Sequence, residues 1–370
     1  MPQKKPPKQF QDRLDQVRHA MRQKSIPAML VAHPADYFYL TGFTGEDSAI
    51  LVTGRSVTVV TDGRFEGAAR KEVGWAKVRF RKGELTPELV SVVQSSRCAR
   101  LAIQSNHMTV ATRDALKKGL RGVRLVDAPP TLSELRECKS ATELKKIDVA
   151  IRVAETAYRA MLKTIRIGQT ELELAARLEY EMKRRGSTEP AFGSIVAIDA
   201  NAALPHAVPG QRRVKKGCLI LFDWGATVDG YRSDLTRTVF VGSIPSKFEA
   251  IYEAVLTSQK KAIAAIRAGV RMCDVDTIAR HHIVDCGYGE RFTHGLGHGL
   301  GLDVHESPSL SWRSDQKLRA GMVVTVEPGV YLPGLGGVRI EDDVRVTGKG
   351  CQVMSHLSKS LKTAVIEVGR

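Results

Sequence analysis

The sequence predicts an α+β protein in two units, a smaller β/α unit followed by a larger one built on an internal repeat. Three observations carry this. The early part of the chain alternates short apolar runs with helical stretches. A proline-centred break, Asp127-Ala-Pro-Pro-Thr131, then interrupts the alternation. Beyond it one order of elements occurs twice, since Ile165-Arg-Ile-Gly168 returns as Ile266-Arg-Ala-Gly269. At 370 residues the chain is long enough for each unit to bury its own core.

Phe10, Leu14, Val17 and Met21 fall on one face of a helix over 10–24. Strands are expected at 29–32, 49–53 and 57–61, then a helix after Gly63. Further strands at 77–80 and 101–104 alternate with helices near 86–95 and 108–119. Asp62 and Arg64 are the ionisable residues of note here, and a turn after a strand explains them. The linker is placed at 127–139, giving domains 1–135 and 136–370. Ser140 and Glu143 form a capping box. The helix behind it carries a core stripe of Leu144, Ile147, Ile151, Ala154 and Tyr158.

In the repeat, Glu173, Leu174 and Gly186 correspond to Asp274, Val275 and Gly287. Each copy then has an apolar run ending in an acid, 219–222 before Asp223 and 323–326 before Glu327. A turn and another strand bring a second acid to each, Asp234 and Glu341. Two like halves facing each other would place these acids in one central pocket. With His298 they make four carboxylates and an imidazole. Such a group cannot stay ionised unaided, because like charges held close drive protonation. Two divalent cations remove that conflict and make a hydrolytic centre.

Asp229-Gly230 is a type I′ turn signal, which pairs Val228 with Tyr231 and sets Asp234 opposite Gly225. Asp223 and Asp234 then share one face, and Gly225 is expected to leave the space between them open. His294, His298 and His305 lie in a Gly-rich segment. The i, i+4 pair resembles a helical zinc motif, but Gly295 stands where the catalytic Glu belongs. The glycines argue instead for a strand or loop that aims imidazoles at a target. Arg339 and Glu341 share a strand face; if it is buried, the arginine needs a carboxylate and the glutamate a cation. Asp342 and Asp343 read as an exposed ion-pairing patch.

Composition narrows the classes. Hydrophobic content of 43% and charged content of 26% are those of a soluble globular chain. No apolar run approaches the roughly 20 residues that span a membrane, and the N-terminus lacks the apolar core of a signal peptide. The six cysteines form no CxxC pairs and read as free thiols, so a cytoplasmic location is expected. The net charge of +16 is spread along the chain and mixed with acids. It reads as a basic solvated surface, with no nucleic acid or membrane partner expected.

Asp223 through Thr238, His294 through His305, Glu327-Pro-Gly and 337–342 resemble the aminopeptidase P and prolidase family, metallopeptidases of the pita-bread fold. Ala203 to His206 match its upstream histidine segment, and 39–43 and 61–64 match its N-terminal domain more loosely. The resemblance implies a cytoplasmic, homodimeric exopeptidase that cleaves the N-terminal Xaa-Pro bond of peptides. Asp223 would bind one metal, His298 and Glu327 the other, and Asp234 and Glu341 would bridge. A water or hydroxide between the metals would be the nucleophile, with Glu327 as general base. His206 and His305 would contact substrate, and His294 and Arg339 would support the site. Mostly oxygen ligands favour Mn2+, then Co2+, with Zn2+ as a further choice. Where the family has a Ser-Gly pair this chain has 197–199 ending in Asp199, expected in the pocket wall. Alternatives are an Xaa-Pro dipeptidase, a non-catalytic binding protein on the same fold, and a hydrolase or lyase of a non-peptide molecule.

Overall fold

Helical spacing of apolar residues folds the first segment into α1 (Lys8–Gln23), which buries Leu14, Val17 and Met21. The computed structural model describes residues 5–369, and the chain divides into two units, Met1–Arg136 and Glu137–Arg370.

In the first unit α1 is followed by β1 (Ala28–Val31), α2 (Pro34–Thr41), β2 (Ala49–Thr53), β3 (Val57–Asp62), α3 (Glu66–Glu72) and β4 (Lys77–Arg81). Then come α4 (Leu85–Ser95), β5 (Arg100–Ile103), α5 (Val110–Gly119), β6 (Arg124–Asp127) and α6 (Thr131–Glu137). The strands form one sheet in the order β4-β3-β2-β1-β5-β6. Its centre is antiparallel and both flanks are parallel. Leu30, Leu51, Val60, Leu89, Leu101 and Leu116 pack its core. Asp62 caps the turn after β3, accepting from the Arg64 backbone N–H at 2.8 Å. The segment expected as linker contains α6. Its prolines precede the helix, and Pro130 supplies the carbonyl that takes the Glu134 N–H, so they start a helix where the sequence reading saw only a break.

The second unit holds two like halves. The first runs α7 (Ala141–Leu162), α8 (Glu171–Lys183), β7 (Ile195–Ile198), β8 (Leu219–Trp224), β9 (Thr227–Val228), β10 (Tyr231–Arg232) and β11 (Leu235–Val241). The second runs α9 (Ser246–Ala265), α10 (Met272–Asp285), β12 (Gly297–Gly299), β13 (Glu306–Leu310), β14 (Val323–Val326), β15 (Gly329–Leu332), β16 (Gly336–Arg339), β17 (Asp342–Val346) and β18 (Cys351–Val353). A short α11 (Leu361–Ala364) and β19 (Val365–Ile366) close the chain. Capping boxes start both α7 and α8, at Ser140/Glu143 and Thr170/Glu173, each stabilising its helix by about 1 kcal/mol. The repeated glycines share one backbone state, with Gly168 at φ +89° and Gly269 at φ +90°. A side chain there would be strained, which is why the helix-to-helix turn returns with its glycine.

Two sheets result, β19-β11-β8-β7 and β13-β12-β14-β17-β18. Both halves centre on an antiparallel pair, β8 with β11 and β14 with β17. A small hairpin, β9–β10 or β15–β16, interrupts each pair at the same point. Trp224 lies wholly in the core, stacked on Tyr158 at 4.3 Å and donating its Nε1–H to the Ala154 carbonyl. Arg237 on β11 ties the halves together. It pairs with Asp342 of β17 at 2.8 Å and donates to the carbonyls of Glu341 and Leu357. Asp342 and Asp343 are thus not an exposed patch: both are fully buried, and Asp342 also accepts from Lys359 and Ser355. Among the described residues no helix is long and apolar enough to cross a membrane.

Candidate metal centre

The five ionisable residues sit where the strand pairs of the two halves converge. Asp223 lies on β8 opposite Thr236 of β11. Asp234 immediately precedes β11, Glu327 follows β14, Glu341 precedes β17, and His298 is the middle residue of β12. The hairpin register is the one the turn dictates: Val228 pairs with Tyr231, and beyond the interruption Trp224 pairs with Leu235. Asp229 and Gly230 carry φ +49° and +79°, the type I′ turn. Gly225 differs from expectation. A Cβ there would lie 1.9 Å from the Ser233 carbonyl oxygen, so the glycine admits the partner backbone and leaves no open floor.

Ligand atoms of Asp234, His298 and Glu341 lie within 4.8 Å of one another. His298 Nε2 is 3.3 Å from Glu327 Oε1 and 3.6 Å from Asp234 Oδ2. Its Nδ1 lies 3.2 Å from the Gly299 carbonyl, which assigns the proton to Nδ1 and leaves the Nε2 lone pair facing two carboxylate oxygens. Burial and the nearby His305 push the imidazole down to about 3, so it does not supply a proton to relieve that contact. Burial and the neighbouring carboxylates instead hold Asp234 and Glu341 well above the usual carboxylate range. Burial pushes Glu327 up to about 8, against the nearby Arg339 charge. Asp223 Oδ2 accepts from Arg339, while its buried Oδ1 has no hydrogen-bond partner among the described residues. An orphaned carboxylate oxygen, an outward lone pair and crowded acids together fit divalent cations, which Asp223, Asp234, His298, Glu327 and Glu341 could hold.

The five line a cavity of about 1040 Å3 together with His206, His294, His305 and Arg339. His206 and His305 are exposed at the cavity, and the His305 ring meets that of His298 edge-on at 4.4 Å. His294 is held by Tyr331, whose hydroxyl lies 2.8 Å from Nε2. Burial and the Arg339 charge push His294 down to about 4. Tyr331 also accepts from Arg339 Nη1 at 2.8 Å. Arg339 Nε donates to Thr236 at 3.1 Å, and Thr236 donates to Glu341 Oε2 at 2.6 Å. One hydrogen-bonded chain therefore links His294, Tyr331, Arg339, Thr236 and Glu341, with Asp223 as a branch. Tyr331, Thr236 and Thr325 went unnoticed in the sequence, where nothing marks an ordinary strand residue whose partner lies a hundred positions away.

The departure at 197–199 is not in the cavity wall, since none of the three residues lines it. Ala197 is buried in β7, and Asp199 adopts φ +49°, a conformation natural to glycine. Its carboxylate accepts from the Leu219 N–H at 3.1 Å and pairs with Lys215 at 2.9 Å, local contacts that compensate for the strain.

Comparison with known proteins gives the chain's family. Residues 145–348 match metallopeptidase family M24, and residues 13–138 match the creatinase/prolidase N-terminal domain. An Xaa-Pro dipeptidase of Pyrococcus horikoshii is 36% identical over 351 residues, covering 95% of this chain and 98% of its own. The solved Xaa-Pro dipeptidase from Bacillus anthracis superposes with a TM-score of 0.91 at 33% identity, covering 97% of this chain and 100% of its own. The X-Pro aminopeptidase from Thermotoga maritima does so at 0.86 and 34%, covering 95% and 100%. The second unit is thus a pita-bread fold, preceded by a creatinase-type N-terminal domain. By its sequence over both units and by its fold, the chain belongs to metallopeptidase family M24.

Proposed function

We propose that this protein is a dinuclear metal-dependent exopeptidase that hydrolyses Xaa-Pro bonds, with Xaa-Pro dipeptides as its preferred substrates. The observations that carry the metal reading are an Asp223 oxygen without a partner among the described residues and a His298 lone pair aimed at two carboxylates in the same cavity. The dipeptide preference is supported by relatives named Xaa-Pro dipeptidases that match nearly the whole chain. It replaces the aminopeptidase reading drawn from sequence as the first choice. Aminopeptidase action stays as a second reading, favoured by the Thermotoga relative and by a cavity of about 1040 Å3, roomy for a dipeptide.

Asp223 would hold one cation, His298 and Glu327 the other, and Asp234 and Glu341 both. Bound there, the cations supply Lewis acidity and positive charge that make water a nucleophile near neutral pH. Glu327 takes the proton of the attacking water and delivers it to the departing proline nitrogen. Arg339 fixes the Asp223 carboxylate, and Tyr331 fixes His294 as a neutral imidazole. His206 and His305 face the cavity as donors for the oxygen that gains charge as the scissile carbonyl turns tetrahedral. Mn2+ is the first choice of metal, because oxygen donors outnumber nitrogen. All six cysteines are unpaired, which suits the proposed cytoplasmic location; a homodimer is proposed from the family.

The test compares kcat/KM of the Mn2+-loaded protein on an Xaa-Pro dipeptide and on a tripeptide with proline second. Faster turnover of the dipeptide is expected. A clear preference for the tripeptide would return the aminopeptidase reading, and inactivity on both would refute Xaa-Pro hydrolysis.

A further inference from the structure

Helix α10 carries an acid and a base one turn apart, Asp276 and Arg280, and both face the segment that bears the site's histidines. Asp276 is fully buried. Arg280 grips it twice, Nε to Oδ2 at 2.9 Å and Nη2 to Oδ1 at 3.1 Å. The pair's remaining hydrogen bonds go to backbone. Arg280 donates to the carbonyls of Phe292 and His294, each at 2.8 Å, and Asp276 Oδ1 accepts the Leu296 N–H at 3.0 Å. The guanidinium also lies over two rings, 4.1 Å from the centroid of Phe292 and 4.4 Å from that of Trp312. Trp312 and His294 both line the cavity.

The Leu296 peptide passes this constraint on. Its N–H is held by Asp276, and its carbonyl accepts the Glu327 N–H at 2.9 Å. Two residues on is His298, whose N–H is held by Thr325 Oγ1 at 3.0 Å; that hydroxyl donates to Glu327 Oε1 at 3.2 Å. The segment needs outside support. Gly295, Gly297, Gly299 and Gly301 alternate along it, and β12 is only 3 residues long, so the chain itself gives little rigidity. In the first half the repeat puts Ala175 and Glu179 at the equivalent helix positions, and the clamp is absent from them.

We propose that Asp276 and Arg280 are positioning residues of the metal centre, clamping backbone 292–296 so that His294, His298 and Glu327 keep their places. The proposal rests on the metal reading above. Neither residue touches substrate; both act through the strand. A carboxylate gripped by a two-nitrogen fork and a guanidinium that still reaches two carbonyls suit this task, and a lysine has no such fork.

The test measures Mn2+ binding by calorimetry, kcat and KM on an Xaa-Pro peptide, and thermal melting. The proteins are the full-length wild type, Arg280→Ala, Arg280→Lys and Asp276→Asn. Ile283→Val, a buried substitution on the same helix, is the control for lost stability alone. Arg280→Ala is expected to bind Mn2+ about 10–100-fold more weakly and to lose kcat with KM little changed. Millimolar guanidinium, which supplies the group removed from beside Phe292 and Trp312, should restore part of both. The control should melt lower with Mn2+ affinity unchanged. A folded Arg280→Ala with wild-type affinity and kcat overturns the proposal, as does a control that weakens Mn2+ binding equally. If Arg280→Ala does not fold, Arg280→Lys keeps the charge and is read against the same two outcomes. The Mn2+ titration needs no substrate, so failure of Xaa-Pro hydrolysis leaves it decisive. A wild type that binds no Mn2+ overturns both the metal reading and the clamp.

Discussion

Returning Mn2+ to metal-stripped protein should release protons, and the structure says roughly how many. Burial holds Glu327 up at about 8 in the metal-free site, against the Arg339 charge, so at pH 7 it is mostly protonated. Asp234 and Glu341 are also held above their ordinary values, by burial and by one another. Cations need the ionised forms, so binding at pH 7 should expel at least about one proton per chain. The sign follows directly: below about pH 8 the metal competes with protons, and its affinity rises with pH. For one displaced proton the gain approaches about tenfold per pH unit. Calorimetric titration in buffers of contrasting ionisation enthalpy counts the protons. No buffer dependence at pH 7, together with pH-independent affinity between pH 6 and 8, would refute the picture of crowded, protonated acids awaiting a cation.

Other substitutions test the surrounding framework. Tyr331→Phe removes the hydroxyl between His294 and Arg339; the buried donor left unpaired should lower stability by about 1–3 kcal/mol in urea unfolding, and kcat should fall. Arg237→Ala removes one of the two cations paired with buried Asp342, leaving Lys359, so a loss of about 1–3 kcal/mol is expected, more than an exposed pair would give. In the first unit, burial alone would raise Asp36, but hydrogen bonds from His33 and Arg136 and the Arg136 charge bring it down to about 2. Its contribution, about 2 kcal/mol, is present above the ordinary 3.8 and is lost as pH falls through about 2. Arg136→Met should therefore flatten the acid limb of a stability-versus-pH curve measured between pH 5 and 2.

What the sequence disclosed was local or chemically odd. Asp229-Gly230 fixed its hairpin because two positive-φ residues admit one turn type. Asp223, Asp234, Glu327 and Glu341 stood out because acids are unexpected beside apolar strands, and His298 because glycines isolate it. The partnerships stayed hidden where they cross between halves. Asp342 and Asp343 looked exposed because the arginine that neutralises Asp342 lies on β11, far away in sequence. Arg339 could be said to need a carboxylate, but not that Tyr331 and Thr236 would share it. Gly225 was read as open space because a sequence shows that a side chain is missing, not which backbone fills its place. Prolines at 129 and 130 were read as a break, although proline also begins helices, as it does before α6.

The central claim is that five residues from two like halves hold two cations. Elemental analysis after dialysis against Mn2+, comparing wild type with Asp234→Ala, tests it most directly. The account predicts close to two Mn2+ per chain in the wild type and a sharp loss in the variant, whose missing carboxylate would have served both ions. A wild type that holds no metal under Mn2+, Co2+ or Zn2+ loading, or a folded variant that keeps both ions, would contradict it.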